Sequence, residues 1–243
     1  MELSGRIALV TGGGQRLGRA FAAALAGRGM SLAIHYHSSA DGAEALRDEI
    51  RAAGGRAECF DADLTDAAAA RALPDRVAGA LGGLDVLVNS AAVMHRLAFE
   101  ETTIAQYDAI MHLNLRAPFF VAQGAAPHLR RAAGKIVNIG DLGGLEPWPS
   151  YAAHSLSKAG LVMLTRVLAR ALAPDVTVNA IAPGTVLVPD GFDRAQRERL
   201  VRDTPLGRLG TPEDAVAALL YLLEGGDFVT GDVLVVDGGR ILR

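Results

Sequence analysis

Tyr151, His154, Ser155 and Lys158 fall within the stretch SYAAHSLSK at 150–158, and their offsets of 3, 4 and 7 put all four on one face of a helix. Such a stripe is unusual on a helix that is otherwise rich in alanine and apolar residues. A phenol beside an ammonium is suited to giving up a proton, because the positive charge stabilises the phenolate and lowers a pKa of about 10. An imidazole exchanges protons near neutrality. His154 lies one turn from Lys158. Tyr151 stands six residues clear of it, so the two Cα atoms align with about 10 Å between them along the axis. A phenol and an amine of that length can converge on a ligand across the gap. Asp141, in VNIGDLGG at 137–144, could hold a substrate amino group or donate through water. The proton donor stays open between Tyr151, ranked first, and His154, with Asp141 assisting.

The elements that must position these groups recur as an aliphatic run followed by an amphipathic segment. Strand-like runs are RIALV (6–10), SLAIHY (31–36), RAECF (56–60), DVLVN (85–89), KIVNI (135–139), VTVNAI (176–181) and DVLVVD (232–237). Helical patterns lie near 17–28, 40–53, 66–81, 102–131, 150–173 and 211–223, with a shorter one at 193–202. Several strands are apolar without alternation, as expected when helices cover both faces of a parallel sheet. The pattern predicts one α/β domain over 1–243, a doubly wound, Rossmann-type parallel sheet of roughly seven strands with helices on both faces. Such sheets bind ligands beyond the carboxyl ends of their strands. Functional residues are therefore expected just after 10, 36, 60, 89, 139 and 181.

Composition narrows the function. Half of the 243 residues are hydrophobic and 21% are charged, enough apolar material for a sizeable core. A net charge of −3 with no basic block argues against nucleic acid as a partner. No apolar run reaches the length of a membrane span, and the N-terminal MELSGRIALV has no signal-peptide pattern, so a cytoplasmic protein is expected. The single cysteine, Cys59, excludes an intramolecular disulfide, and no His/Cys/acid spacing suggests a metal. The remaining partner is a small-molecule substrate.

After the first strand comes TGGGQRLGRA (11–20). Gly12 to Gly14 turn the chain tightly and let backbone N–H groups approach a pyrophosphate, with Leu17 beginning a helix that Gly18 allows to pack close to the sheet. Arg16 stands where a glycine is more usual. At the end of the second strand an acid would bind the ribose hydroxyls of NAD. The sequence there is IHYHSSA (34–40), offering His35, His37, Ser38 and Ser39 with no acid until Asp41. Cationic and neutral donors, with Arg16 able to join them, fit the 2′-phosphate of NADPH. Asp63 is placed to accept from the adenine amino group, with the Leu64 backbone over the ring; it also sits beside a helix cap at Thr65 or Asp66. Asn89, Ser90 and Ala91 supply small residues where the chain must pass beneath the cofactor.

Taken together, TGGGQRLG (11–18), Asp63-Leu64, NSAA (89–92), Asn114, the Lys158 helix, Pro183-Gly184 and the terminal GDVLVVDGG (231–239) resemble the short-chain dehydrogenase/reductase family in order and spacing. Within it, Arg16 followed by HYHSSA, and Asp141 where most members have serine, are similar to the pteridine reductase branch. That resemblance implies NADPH, a homotetramer and a pteridine or folate substrate. It also implies that Lys158 holds the nicotinamide ribose, that Asn114 kinks a helix and orders water behind the lysine, and that Pro183 and Gly184 border the cofactor. The chain departs from the family at two places. His154 occupies the tyrosine position four residues before Lys158, and Met94 stands where the branch carries a stacking aromatic. The Y-x6-K spacing of Tyr151 and Lys158 resembles enoyl-acyl-carrier-protein reductases instead. An enoyl- or 3-oxoacyl-thioester reductase is therefore the second reading, and a catalytically impaired NADPH-binding sensor or structural subunit the third. Pro147, Trp148 and Pro149 form a stiff apolar approach to the pocket, residues 185–207 read as a lid, and the helices at 102–131 and 150–173 carry spare apolar surface for oligomerisation.

Overall fold

The computed structural model describes residues 1–188 and 191–243, so two positions of the expected lid, 189 and 190, lie outside the described residues. Seven strands form one parallel sheet: β1 (Ile7–Thr11), β2 (Ser31–Tyr36), β3 (Ala57–Asp61), β4 (Val86–Asn89), β5 (Lys135–Ile139), β6 (Thr177–Pro183) and β7 (Val233–Val236). Their order is β3-β2-β1-β4-β5-β6-β7, so the winding direction reverses between β1 and β4. At that reversal the loops after the two strands diverge and leave a crevice. The register aligns Thr11 with Asn89 and Asn89 with Asn138, which puts the ends of three strands level at its floor.

The helices are α1 (Arg16–Ala26), α2 (Ala40–Ala52), α3 (Ala67–Leu81), α4 (Ile104–Met111), α5 (Ala117–Ala132), α6 (Ala152–Leu172), α7 (Arg194–Arg202) and α8 (Pro212–Leu220). Alternate strand residues pack into two separate cores. Leu32 and Ile34 meet α1, α2 and α8 on one face, whereas Leu9 and Ala33 meet α3, α5 and α6 on the other. Burial on both faces is why the strands read as apolar runs without alternation. No helix among the described residues is long and apolar enough to cross a membrane.

Two helical expectations need correction. The pattern at 102–131 is not one helix: a π turn at His112–Arg116 separates α4 from α5. The side chain of Asn114, buried in that turn, brackets Val93 by accepting from its N–H at 2.9 Å and donating to its carbonyl at 2.8 Å. The extra residue of the π turn thus fastens the loop after β4. The pattern at 150–173 begins two residues late, because Pro149–Tyr151 form a 3₁₀ turn and Tyr151 has φ −139°, outside helical geometry. The four-residue stripe is therefore broken at its first member.

Candidate active site

A cleft of about 980 Å³ runs along the carboxyl ends of the strands, from the glycine turn past the start of α6 to the segment before α7. Its first wall is the turn after β1. Gly12 takes φ +65° against the backbone of Ala91, and a Cβ on Gly18 would lie 2.2 Å from the Gly12 carbonyl oxygen, so only glycine allows α1 to start this close to the sheet. Arg16 adopts the left-handed φ of +49°, which explains why glycine is the ordinary residue there and costs an arginine about 1–2 kcal/mol. Its side chain lines the cleft with His37, Ser38 and Ser39.

The helix ends facing this wall are left without side-chain caps, as are those of α5 and α6. Helices α3, α4, α7 and α8 are capped at their N-termini by Asp66, Thr103, Asp193 and Thr211. Neither α1 nor α2 has a side-chain cap, so their first N–H groups and the positive ends of their dipoles are open to an anion. Beyond them, Leu17, Leu64, Ser90, Ala91, Pro183 and Gly184 line the cleft as expected. Asp63 lines it too, while one of its carboxylate oxygens accepts from both the N–H and the hydroxyl of Thr65. Those bonds hold its carboxyl below the usual value.

Three expected cofactor residues do other work. His35 is buried, only 3% exposed. Its Nδ1 accepts from the Gly12 N–H at 3.1 Å and its Nε2 faces the Ala62 carbonyl at 3.0 Å, which assigns the neutral Nε2–H tautomer. Burial lowers its pKa, over the opposing pull of the Ala62 carbonyl and Asp61 and with help from His37 and Arg76. It is a brace between the glycine turn and the β3 loop, not a phosphate ligand. Asn89 is likewise buried, donating to Asn138 at 2.9 Å, and Asn138 donates in turn to Thr165 at 2.9 Å. Gly14 packs against Ser39 and Ala43 of α2 behind the cleft wall.

The centre of the cleft is formed by Asp141, Tyr151, His154 and Lys158. Asp141 follows β5 and reaches His154 on α6, with 2.6 Å between its Oδ2 and Nε2. His154 is 2% exposed and Lys158 4%. The other imidazole nitrogen, Nδ1, lies 3.3 Å from the Val93 carbonyl and 3.4 Å from Asn114 Nδ2. Asn114 already directs its two amide hydrogens to Val93 and to Ser157 at 2.8 and 3.1 Å, so the carbonyl is the better partner for Nδ1. Both ring nitrogens are thus engaged within the protein, and the Trp148 ring lies parallel to the imidazole at 6.3 Å. Lys158 donates to the Ile139 carbonyl at 2.8 Å. Burial lowers its pKa, with Asp141 pulling the other way. For Asp141, burial pushes the carboxyl up, but the hydrogen bond from His154 and the charges of Lys158 and His154 outweigh it. The carboxylate stays ionised.

Tyr151 borders the same space from the 3₁₀ turn, half-buried and edge-on to Trp148 at 6.0 Å. Its hydroxyl has no hydrogen-bond partner among the described residues. Ser155 and Pro147 do not line the cleft, whereas Trp148 and Pro149 do. Met94 lines it as a half-exposed apolar wall. Asn114 makes no hydrogen bond to Lys158; its partners are Val93, Ser157 and His154. Leu187, Phe192 and Leu200 form an apolar roof, and Arg240 stands beside them. Arg240 went unnoticed in the sequence, although a lone charge after the glycine pair of VVDGGR was a usable signal.

Comparison with known proteins agrees with this geometry. A family model described as "Enoyl-(Acyl carrier protein) reductase" matches residues 14–240. The 3beta-hydroxysteroid dehydrogenase 1 of Eggerthella lenta is 34% identical, with 99% of this chain and 95% of that protein aligned. The 3-oxoacyl-[acyl-carrier-protein] reductase FabG of Staphylococcus aureus is 33% identical over 97% of this chain and 98% of its own. A blue fluorescent protein from a metagenomic library, solved in complex with NADPH, superposes with a TM-score of 0.92 at 33% identity, covering 99% of both chains. With an uncapped nucleotide crevice, a buried lysine on α6 and matches over nearly its whole length, the chain belongs to the short-chain dehydrogenase/reductase family and is an NAD(P)H-dependent oxidoreductase.

Proposed function

We propose that the protein reduces a C=N bond in an N–H-rich heterocycle of the pteridine or dihydrofolate type, with NADPH as hydride donor. The observation that carries this reading is the ionised Asp141, paired with His154 at 2.6 Å in the middle of the cleft. A carboxylate accepts from substrate N–H groups and favours a protonated imine, whose carbon is the better hydride acceptor. Tyr151 supplies the proton, because its hydroxyl has no hydrogen-bond partner among the described residues. His154 is a positioning residue that fixes Asp141, and Lys158 holds the nicotinamide ribose. NADPH rather than NADH is supported by Arg16, His37, Ser38 and Ser39 at the open end of α2, and by the NADPH complex of a relative. When bound, the nucleotide supplies the hydride.

A 3-oxoacyl- or enoyl-thioester reductase is the second reading, favoured by the apolar roof of Leu187, Phe192 and Leu200. NADPH oxidation with dihydrobiopterin, dihydrofolate, acetoacetyl-CoA and crotonyl-CoA decides between them. Pterin turnover with thioesters at background supports the first, and the reverse pattern overturns it. Tight NADPH binding without turnover of any of the four would leave a sensor or structural subunit. Tyr151→Phe is expected to lose most turnover while NADPH still binds; full activity would transfer the proton to His154.

A further inference from the structure

We propose that Arg240 makes the cleft selective for substrates that carry an anionic group, a carboxylate or a phosphate, away from the reacting bond. The inference deepens the functional reading above and rests on it for the location of the reacting carbon. Arg240 opens a 3₁₀ turn, Arg240–Leu242, directly after β7, and it lines the cleft on the side of the apolar roof. Its direction is built in. Gly238 and Gly239 both take left-handed φ, +66° and +87°. Asp237 then accepts from the N–H groups of Gly239 and Ile241 at 2.8 and 2.7 Å, closing the turn. A Cβ on Gly238 would sit 2.6 Å from Thr204 and one on Gly239 3.1 Å from Pro205, so the turn is clamped beneath the end of α7. Glycine is required at both positions, and the clamp delivers residue 240 to the cleft.

The guanidinium donates through one nitrogen to the Thr185 hydroxyl at 2.9 Å. No carboxylate among the described residues lies within ion-pair distance of it, whereas most arginines near the lid are paired, Arg194 with Glu198, Arg199 with Asp203 and Arg208 with Asp214. A half-buried guanidinium with donors to spare and a fixed orientation is suited to forked recognition of a carboxylate or phosphate. The cleft thus presents Asp141 at its centre and Arg240 beneath its roof. That pairing fits an elongated ligand with N–H donors at the reacting end and a negative charge at the other.

The test compares Arg240→Gln with the wild type on two matched pairs that differ in charge away from the reacting bond. Dihydrofolate, with its carboxylates, is set against dihydrobiopterin; acetoacetyl-CoA, with its phosphates, is set against the neutral acetoacetyl-N-acetylcysteamine thioester. Within whichever pair turns over, the variant is expected to raise KM for the anionic member by on the order of ten- to a hundred-fold. KM for the neutral member, and the NADPH dissociation constant read by nucleotide fluorescence, should stay within about two-fold of wild type. Arg240→Lys should recover part of the difference. If only the dihydrofolate pair responds, the anion is a carboxylate; if only the CoA pair responds, it is a phosphate and the heterocycle reading falls while this one stands. An equal effect on both members, or none, overturns the proposal, and so does loss of NADPH affinity, which would assign Arg240 to the nucleotide. Should none of the four be turned over, their binding to the NADP⁺ complex is measured in both proteins, and a wild type without preference for the anionic members also overturns it.

Discussion

Replacing His35 by leucine tests whether an internal imidazole, and not a phosphate contact, is what the glycine turn needs from β2. Leucine fills a similar volume but leaves the buried Ala62 carbonyl and the partly buried Gly12 N–H without partners. The carbonyl costs about 1–3 kcal/mol and the amide about 1, against a gain of roughly 1 from the added apolar contact, for a net loss of about 1–3 kcal/mol. In a chain of this length that is a fall in Tm of about 2–12 °C. The pH dependence has a definite sign. Burial depresses the pKa of His35 in the fold, so the unfolded chain takes up a proton first. Its neutral form therefore contributes fully above the unfolded value of about 6.5. The contribution is lost as pH falls below that, by up to about 1.4 kcal/mol per pH unit, until the lower folded pKa is reached. Asp61, His37 and Arg76 face the same imidazole and bias where that limit lies. Urea unfolding of both proteins from pH 7.5 to 5 should show a difference in stability that is largest at pH 7.5 and shrinks towards pH 5. NADPH affinity should fall in the variant at pH 7.5, since Gly12 loses its acceptor. A variant with wild-type Tm, and a difference that does not change with pH, would refute the brace.

Arg16→Gly removes a left-handed arginine and should raise stability by about 1 kcal/mol in urea unfolding, while NADPH affinity drops towards that for NADH. Leu156 and Met163 of α6 and Phe119 of α5 are exposed apolar side chains, and the homotetramer expected from the family resemblance is tested at them. The double variant Leu156→Glu/Met163→Glu should shift sedimentation to a smaller species with little loss of secondary structure. The pair Asp141→Ser/His154→Tyr should lower pterin turnover and raise that of acetoacetyl-CoA, read by NADPH oxidation under matched conditions.

The strands were readable because their burial on both faces leaves little room for polar residues: SLAIHY and KIVNI coincide with β2 and β5. The same property concealed His35. In a strand buried on both sides there is no alternation to show that an imidazole beside Tyr36 points inward, although its parity with Ala33 already assigns it to the α3 face. Asn89 was hidden in the same way. Helical periodicity could not reveal the π turn at Asn114, which inserts one residue into an otherwise continuous pattern. Nor could it show that the helix carrying Lys158 begins after Pro149, with Tyr151 at its cap. The pairing of Asp141 with His154 needed β5 and α6 to be adjacent; each residue was visible alone, but the contact crosses two elements. What sequence could supply was residue types at the right strand ends, and the structure adds which of them face the cleft.

The Asp141–His154 pair also constrains which reaction the site can favour. Reduction of a ketone builds negative charge on its oxygen, and the cleft must then supply neutral or positive donors at that atom. Here an ionised carboxylate occupies one donor place, and the imidazole in the other directs its nitrogens to that carboxylate and to Val93. An oxyanion in contact with Asp141 would be repelled, and protonating Asp141 to relieve this would work against His154 and Lys158, which hold it ionised. With a C=N acceptor the sign reverses. A substrate nitrogen that is protonated or carries N–H groups when hydride arrives would find a partner in Asp141, and in the proposed reaction Tyr151 would have only to replenish the proton. The same carboxylate that would oppose ketone reduction would therefore aid the proposed imine reduction, while Lys158 donates to the Ile139 carbonyl and not to Asp141.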